Sequence, residues 1–205
     1  MPNKELLSER DEMHALQLAR RPKSAAALQN LLDKVKARAT EIVLNDPKVK
    51  ARLQGIRYRA MGGELRVEKP PDGRTMAGRV AQGGIYDYDR NVLVVAVVDL
   101  RAGRILSIEE WRDVQPPITP EELEEAKQIV FSDKLYASLK KSRPEVAAFP
   151  SRAITMPDHP GYGHRCFTLY FWSRGKRIGH AVVDLSTQRL VPGVDEPGFP
   201  ASDRR

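Results

Sequence analysis

Apolar residues recur at helical spacing over the first quarter of the chain and at strand spacing after it. Leu28, Leu31, Leu32, Val35, Ala39, Ile42 and Val43 fall on one helical face, with Ser24 placed to cap its start. Asp46-Pro47 restarts the helix: aspartate caps, and proline suits the first helical position. Val49 and Leu53 carry the apolar face to Gly55, a C-terminal stop. Before Ser24, Leu6, Leu7, Met13, Leu16 and Leu18 predict another helix over 4–20, ended by Arg20-Arg21-Pro22. Beyond Gly55 the period shortens. Arg57-Tyr58-Arg59 and Leu65-Arg66-Val67 alternate, Pro70-Pro71-Asp72-Gly73 turns the chain, and Val80–Tyr88 with Val92–Leu100 predicts a hairpin around Asp89-Arg90-Asn91. Ala102-Gly103 turns again into Arg104–Ser107.

The second half repeats this order. Thr119-Pro120-Glu121-Glu122 is a capping box with proline at the first helical position. Leu123, Ala126, Ile129 and Val130 give a core face, and Asp133 breaks the helix where Asp46 broke the first, with Leu135 and Leu139 closing it. Strands are expected at Arg152–Met156, Cys166–Ser173, Ile178–Leu185 and Arg189–Val191. The echo extends to identity. Ala96-Val97-Val98-Asp99-Leu100 followed by Arg104 stands 85 positions before Ala181-Val182-Val183-Asp184-Leu185 followed by Arg189. A period of this size marks a duplicated supersecondary unit. The boundaries follow: a helical extension over 1–23, one α+β unit over 24–113, a second over 114–192, and a Pro-, Gly- and Asp-rich tail over 193–205.

The residues around the joint resemble a known family. Ala96–Ser107, Val114-Gln115-Pro116-Pro117-Ile118-Thr119 and Glu121–Asp133 are similar to the junction between the two small N-terminal domains of copper amine oxidases. Pro70–Tyr88 and Pro160-Gly161-Tyr162 extend the resemblance to about residues 25–192. It implies two tandem cystatin-like units, each a helix packed on a curved antiparallel sheet. In that family the chemistry belongs to a large C-terminal domain, where a tyrosine becomes topaquinone and three histidines, two as H-x-H, hold copper. Here His14, His159, His164 and His180 include no H-x-H, and Tyr86-Asp87-Tyr88 follows Ile85 where the cofactor motif has Asn. The resemblance therefore implies a scaffold pair without its enzyme, with no copper, topaquinone or other cofactor.

Composition narrows the partners. The chain has 205 residues, 41% hydrophobic, enough for a real core. A single cysteine, Cys166, excludes an intramolecular disulfide and suits a reducing compartment. The N-terminus lacks a signal peptide's apolar core, and the strongly apolar run Val92–Val98 is too short to cross a bilayer. The expectation is a soluble, cytoplasmic protein. The net charge is +7, most of it within residues 1–69. A basic first third could meet nucleic acid, but its Lys and Arg alternate with acids and no aromatic residue interleaves before Tyr58, so nucleic acid is the weaker expectation.

Candidate chemistry is sparse. Asp158, His159, His164 and Cys166 are metal-ligand types, but their spacing matches no standard finger, and an exposed loop leading to a core cysteine explains them as well. Cys166 with His164 is a nucleophile–base pair only if extended, and no third orienting group is evident. Asp99 and Asp184 end equivalent strands, where each is expected to accept backbone hydrogen bonds in the following turn. Tyr170 and Trp172 alternate with Leu169 and Phe171, so both sheet faces are apolar there, with a covering element expected from within the chain or from another protein.

Two functions follow. One is a non-catalytic interaction or accessory module that binds a protein partner or itself, with 1–23 as its specific addition and no catalytic or metal residue. The alternative is a small enzyme or ligand-binding protein with a pocket on the concave sheet face, lined by His164, Arg165, Tyr170, Arg174 and His180.

Overall fold

The computed structural model describes residues 24–68 and 76–193. The helix expected over 4–20, the turn at Pro70–Gly73 and the tail lie outside these residues. The chain is α+β and contains two compact units: Met1–Asp87 with Leu93–Trp111, and Tyr88–Val92 with Arg112–Arg205.

In unit 1, helix α1 (Ala25–Asn45) begins at Ser24, whose Oγ accepts from the Ala27 N–H at 3.1 Å. Asp46 ends α1 and caps α2 (Pro47–Leu53), accepting from Lys48 and Val49 N–H groups. Gly55 follows with φ 76°, the left-handed conformation that stops a helix. Strands β1 (Tyr58–Glu68), β2 (Met76–Asp87), β3 (Val92–Asp99) and β4 (Arg104–Arg112) form a sheet in sequential order. The two short runs expected after Gly55 are one strand, β1, carried past a bulge between Ala60 and Gly62.

Gly63 and Gly83 oppose each other in the β1–β2 ladder beneath α1. A Cβ on Gly63 would lie 3.2 Å from the Ala39 Cβ, and one on Gly83 would lie 3.0 Å from Val43 Cγ2. The paired glycines thus let the α1 backbone settle onto the sheet, burying Val35, Ala39, Ile42 and Val43.

In unit 2, α3 (Pro120–Ser132) starts with the capping box complete: the Thr119 hydroxyl accepts from Glu122 N–H, and Glu122 Oε2 accepts from Thr119 N–H. Asp133 ends α3, and a 3₁₀ turn (Lys134–Tyr136) leads into the short helix α4 (Ala137–Lys141). Leu135, expected to close the helix, is 84% exposed, while Leu139 is the residue that reaches the sheet, near Gly179. The second sheet runs β5 (Glu145–Pro150), β6 (Cys166–Ser173), β7 (Lys176–Asp184) and β8 (Arg189–Val191), also in sequential order and antiparallel.

The first strand of this sheet departs from expectation. Arg152–Thr155 is a 3₁₀ turn, because the Ser151 hydroxyl accepts from Ala153 N–H and closes it; the ladder with β6 is made by Glu145–Pro150 instead. Phe167, Leu169, Phe171, Ala181 and Val183 line the inner face, with Ala126 and Val130 of α3 buried and Phe131 5.7 Å from Phe171 ring to ring. Among the described residues, no helix is long and apolar enough to cross a membrane.

The duplicated turn adopts one geometry twice. Asp99 Oδ1 accepts from Arg101 and Ala102 N–H groups at 3.0 and 2.9 Å. Asp184 Oδ1 accepts from Ser186 and Thr187 N–H groups at 2.9 and 3.2 Å. The positive-φ residues that complete the turns, Gly103 and Gln188, correspond as well. These aspartates shape turns, as their positions predict.

Candidate functional site

The polar chemistry of unit 2 gathers in three places. The first is wholly buried. Glu122 sits on the same helical stripe as Ala126 and Val130 and therefore points into the core. Its Oε1 accepts from the Tyr88 hydroxyl at 2.6 Å and from Arg165 Nε at 2.8 Å; its Oε2 accepts from Thr119 N–H and from Arg165 Nη2 at 2.8 Å. The remaining Arg165 donors reach the Pro116 carbonyl at 2.8 Å, the Pro117 carbonyl at 3.1 Å and Gln115 Oε1 at 3.4 Å. The guanidinium lies over the Phe167 ring. Burial alone pushes the Glu122 carboxyl up, but the Arg165 hydrogen bonds and charge, with Tyr88 and the Thr119 N–H, outweigh it and hold the group below the usual carboxylate range. The Gln-Pro-Pro joint is thus tied to α3 and to the start of β6 by one ion pair.

The second place is the loop before β6. His164 Nδ1 lies 2.8 Å from Oδ2 of the buried Asp184, which also accepts from the Thr187 hydroxyl. His159 Nδ1 accepts from Gly161 N–H at 2.9 Å, so its Nε2 carries the proton and donates to the Pro192 carbonyl at 2.9 Å. Cys166 is buried, with Sγ directed at the Gly161 carbonyl, and burial, reinforced by Asp184, pushes its thiol well above the ordinary range. A protonated, enclosed thiol is not a nucleophile. Asp158, His159, His164 and Cys166 do not converge: among the described residues, no three His, Cys, Asp or Glu side chains stand where they could hold a metal ion.

The third place is the outer face of the second sheet. The loop covers its Cys166 end, where Gly161 packs on the sulfur. Among the described residues the opposite end stays partly exposed. The register puts Phe149, Tyr170, Trp172 and His180 on this side. Phe149 lies 6.0 Å and His180 6.3 Å from Tyr170, ring to ring, and Arg177 lies over the Tyr170 ring at 5.7 Å. Phe149 is 56% exposed and Trp172 36%.

The five residues expected to line one pocket are therefore divided. Tyr170 and His180 meet on the outer face, and Arg174 is exposed in the adjoining hairpin turn. His164 belongs to the loop, and Arg165 is sealed in the core. Two surface grooves of about 360 and 350 Å³ lie in unit 1; one is lined by Leu44, Lys50, Leu53, Gln54 and Tyr58, the other by Arg38, Glu41, Asn45, Asp46 and Arg104, and neither includes any of the five. Sequence reasoning missed the Glu122–Arg165 pair, although the spacing of Glu122, Ala126 and Val130 carried a signal of burial. It also missed Phe149, for want of strand β5.

No family model matches this sequence, and no curated protein matches it. Among solved structures the chain is similar to a copper-containing benzylamine oxidase from Hansenula polymorpha, with a TM-score of 0.53 over 78% of this chain at 10% identity. The fold is copper amine oxidase-like. The likeness concerns fold alone, since the chain spans 28% of the length of that oxidase. A copper–topaquinone centre does not fit the residues described: Tyr86 is buried, the Tyr88 hydroxyl is held by Glu122, and no metal-holding group of three is present among them.

Proposed function

We propose that this chain is a non-catalytic interaction module: two cystatin-like units on a scaffold like that of the N-terminal part of copper amine oxidases, binding a protein partner or itself. One observation carries the reading. Four groups in unit 2 with catalytic potential are committed to structural partners: Glu122 to Arg165, Asp184 to its turn and His164, His159 to Gly161 and Pro192, and Cys166 to an enclosed, protonated state. Meanwhile large aromatic side chains stay exposed on a sheet, where an interaction surface would need them. A cytoplasmic setting is supported by the single, buried cysteine.

The test is light scattering and crosslinking on the full chain and on a variant lacking residues 1–23. The reading expects self-association or a bound partner that the deletion weakens. Unchanged mass and partners would contradict it.

A second reading, a small ligand-binding protein or enzyme, is favoured by His164, a partly exposed imidazole oriented by a buried carboxylate as a general base would be. It expects a turnover or ligand affinity that His164→Ala abolishes.

A further inference from the structure

The outer face of the second sheet carries π surfaces and charge together. Phe149 on β5, Tyr170 and Trp172 on β6 and His180 on β7 form a strip across neighbouring strands. Trp172 and Phe149 present much of their surface to solvent, and Tyr170 is half-buried between Phe149 and His180. The register also decides where the cations fall. Glu145 pairs with Trp172, and Ser173 pairs with Lys176 across the β6–β7 turn. The segment entering β5 and the β6–β7 turn therefore share one end of the sheet. Lys140, Lys141 and Arg143 come from the first; Arg174, Lys176 and Arg177 come from the second. Glu145 is the one carboxylate in residues 138–150 and 170–180, and it lies across the ladder from Trp172 on the side away from Arg177. Of these cations, Arg177, which pairs with Trp172 and lies over the Tyr170 ring, and Arg174, exposed in the adjoining turn, make the end beside the aromatic strip cationic.

An anionic ligand with flat π faces matches both features. A neutral sugar would use the rings and leave the cations without a role. An acidic polypeptide would use the cations and leave the rings underused. Bases splayed from a single strand stack on side chains such as these, while cations track the phosphates. A duplex keeps its bases stacked on one another and cannot offer their faces.

We propose that the outer face of the second sheet binds single-stranded nucleic acid, bases stacking on Trp172, Tyr170 and Phe149 and phosphates meeting the cationic end. This goes beyond the interaction-module reading of the preceding section, which expects a protein partner or a second copy, and does not rest on it. It differs in location from the basic first third of the sequence, which has no aromatic residue before Tyr58.

The experiment is fluorescence anisotropy of a labelled short oligothymidine titrated with the full chain at several salt concentrations. Binding is expected to weaken with salt, the log–log slope changing by about 0.7 for each phosphate neutralised. Trp172→Ala and Phe149→Ala are partly exposed sites, and each is expected to keep the native circular dichroism while weakening binding about ten-fold. Arg174→Gln is expected to lower the magnitude of the salt slope.

No binding at low salt overturns the proposal. So does binding of a duplex or of poly-glutamate as tightly as oligothymidine, with no effect of the aromatic variants. A dimer broken by Trp172→Ala, without oligothymidine binding, overturns it in favour of a second copy on this face. The interaction-module reading is judged separately by light scattering and the 1–23 deletion, which involve no oligonucleotide.

Discussion

Arg165 grips both oxygens of Glu122, Nε to Oε1 and Nη2 to Oε2, each at 2.8 Å and with neither side chain exposed. Every polar hydrogen of the guanidinium has an acceptor, so the desolvation of both charges is offset only while the pair is complete. Glu122→Gln removes the compensating charge and is expected to destabilise the fold by about 3–5 kcal/mol. The double variant Glu122→Gln with Arg165→Met should recover part of this loss. Urea unfolding of the three chains measures it.

The same carboxylate sets an acid limit. Its folded pKa lies below the ordinary 4.5, so folding favours the charged form. The resulting stability is fully present above about pH 4.5 and is lost as pH falls through the folded pKa. Melting temperature should decline below that pH in the native chain and decline less steeply in Glu122→Gln.

Cys166 gives the opposite sign. Its thiol is pushed above the ordinary value of 9.0, so the folded state favours the protonated form, and stability should fall as pH rises past about 9. At neutral pH a thiol reagent should label Cys166 only as fast as the chain opens. Labelling in urea should be rapid, and a fast native rate would contradict the burial described.

How much of this was legible in the sequence depended on distance along the chain. Ser24, Asp46, Thr119, Asp99 and Asp184 act on backbone groups two or three residues away, and their roles followed from residue type and position. The repeat supplied both turns at once. Arg165 meets Glu122 across 43 residues, and no local rule joins them. Val146-Ala147-Ala148 alternates too weakly to mark β5, whereas Arg152–Met156 carries a strand-like pattern that the Ser151 hydroxyl overrides by closing a turn. The outer aromatic strip was half visible: Tyr170 and Trp172 alternate along β6, but only the register adds Phe149, His180 and the cations.

The two turn aspartates make equivalent bonds in different surroundings. Asp99 is partly exposed and serves its own turn, so Asp99→Ala should cost about 1 kcal/mol. Asp184 is fully buried and also holds His164 and the Thr187 hydroxyl, so Asp184→Ala should cost about 2–3 kcal/mol. Paired thermal melts compare them.

The proposed working surface is the partly exposed end of the second sheet around Trp172. The chain has two tryptophans, so Trp111→Phe leaves Trp172 as the single reporter on that face. Titrating this variant with oligothymidine should quench Trp172 fluorescence saturably, with the quench reversed by added salt. Fluorescence unchanged at saturating oligothymidine, or quenched equally by a duplex, would contradict the account.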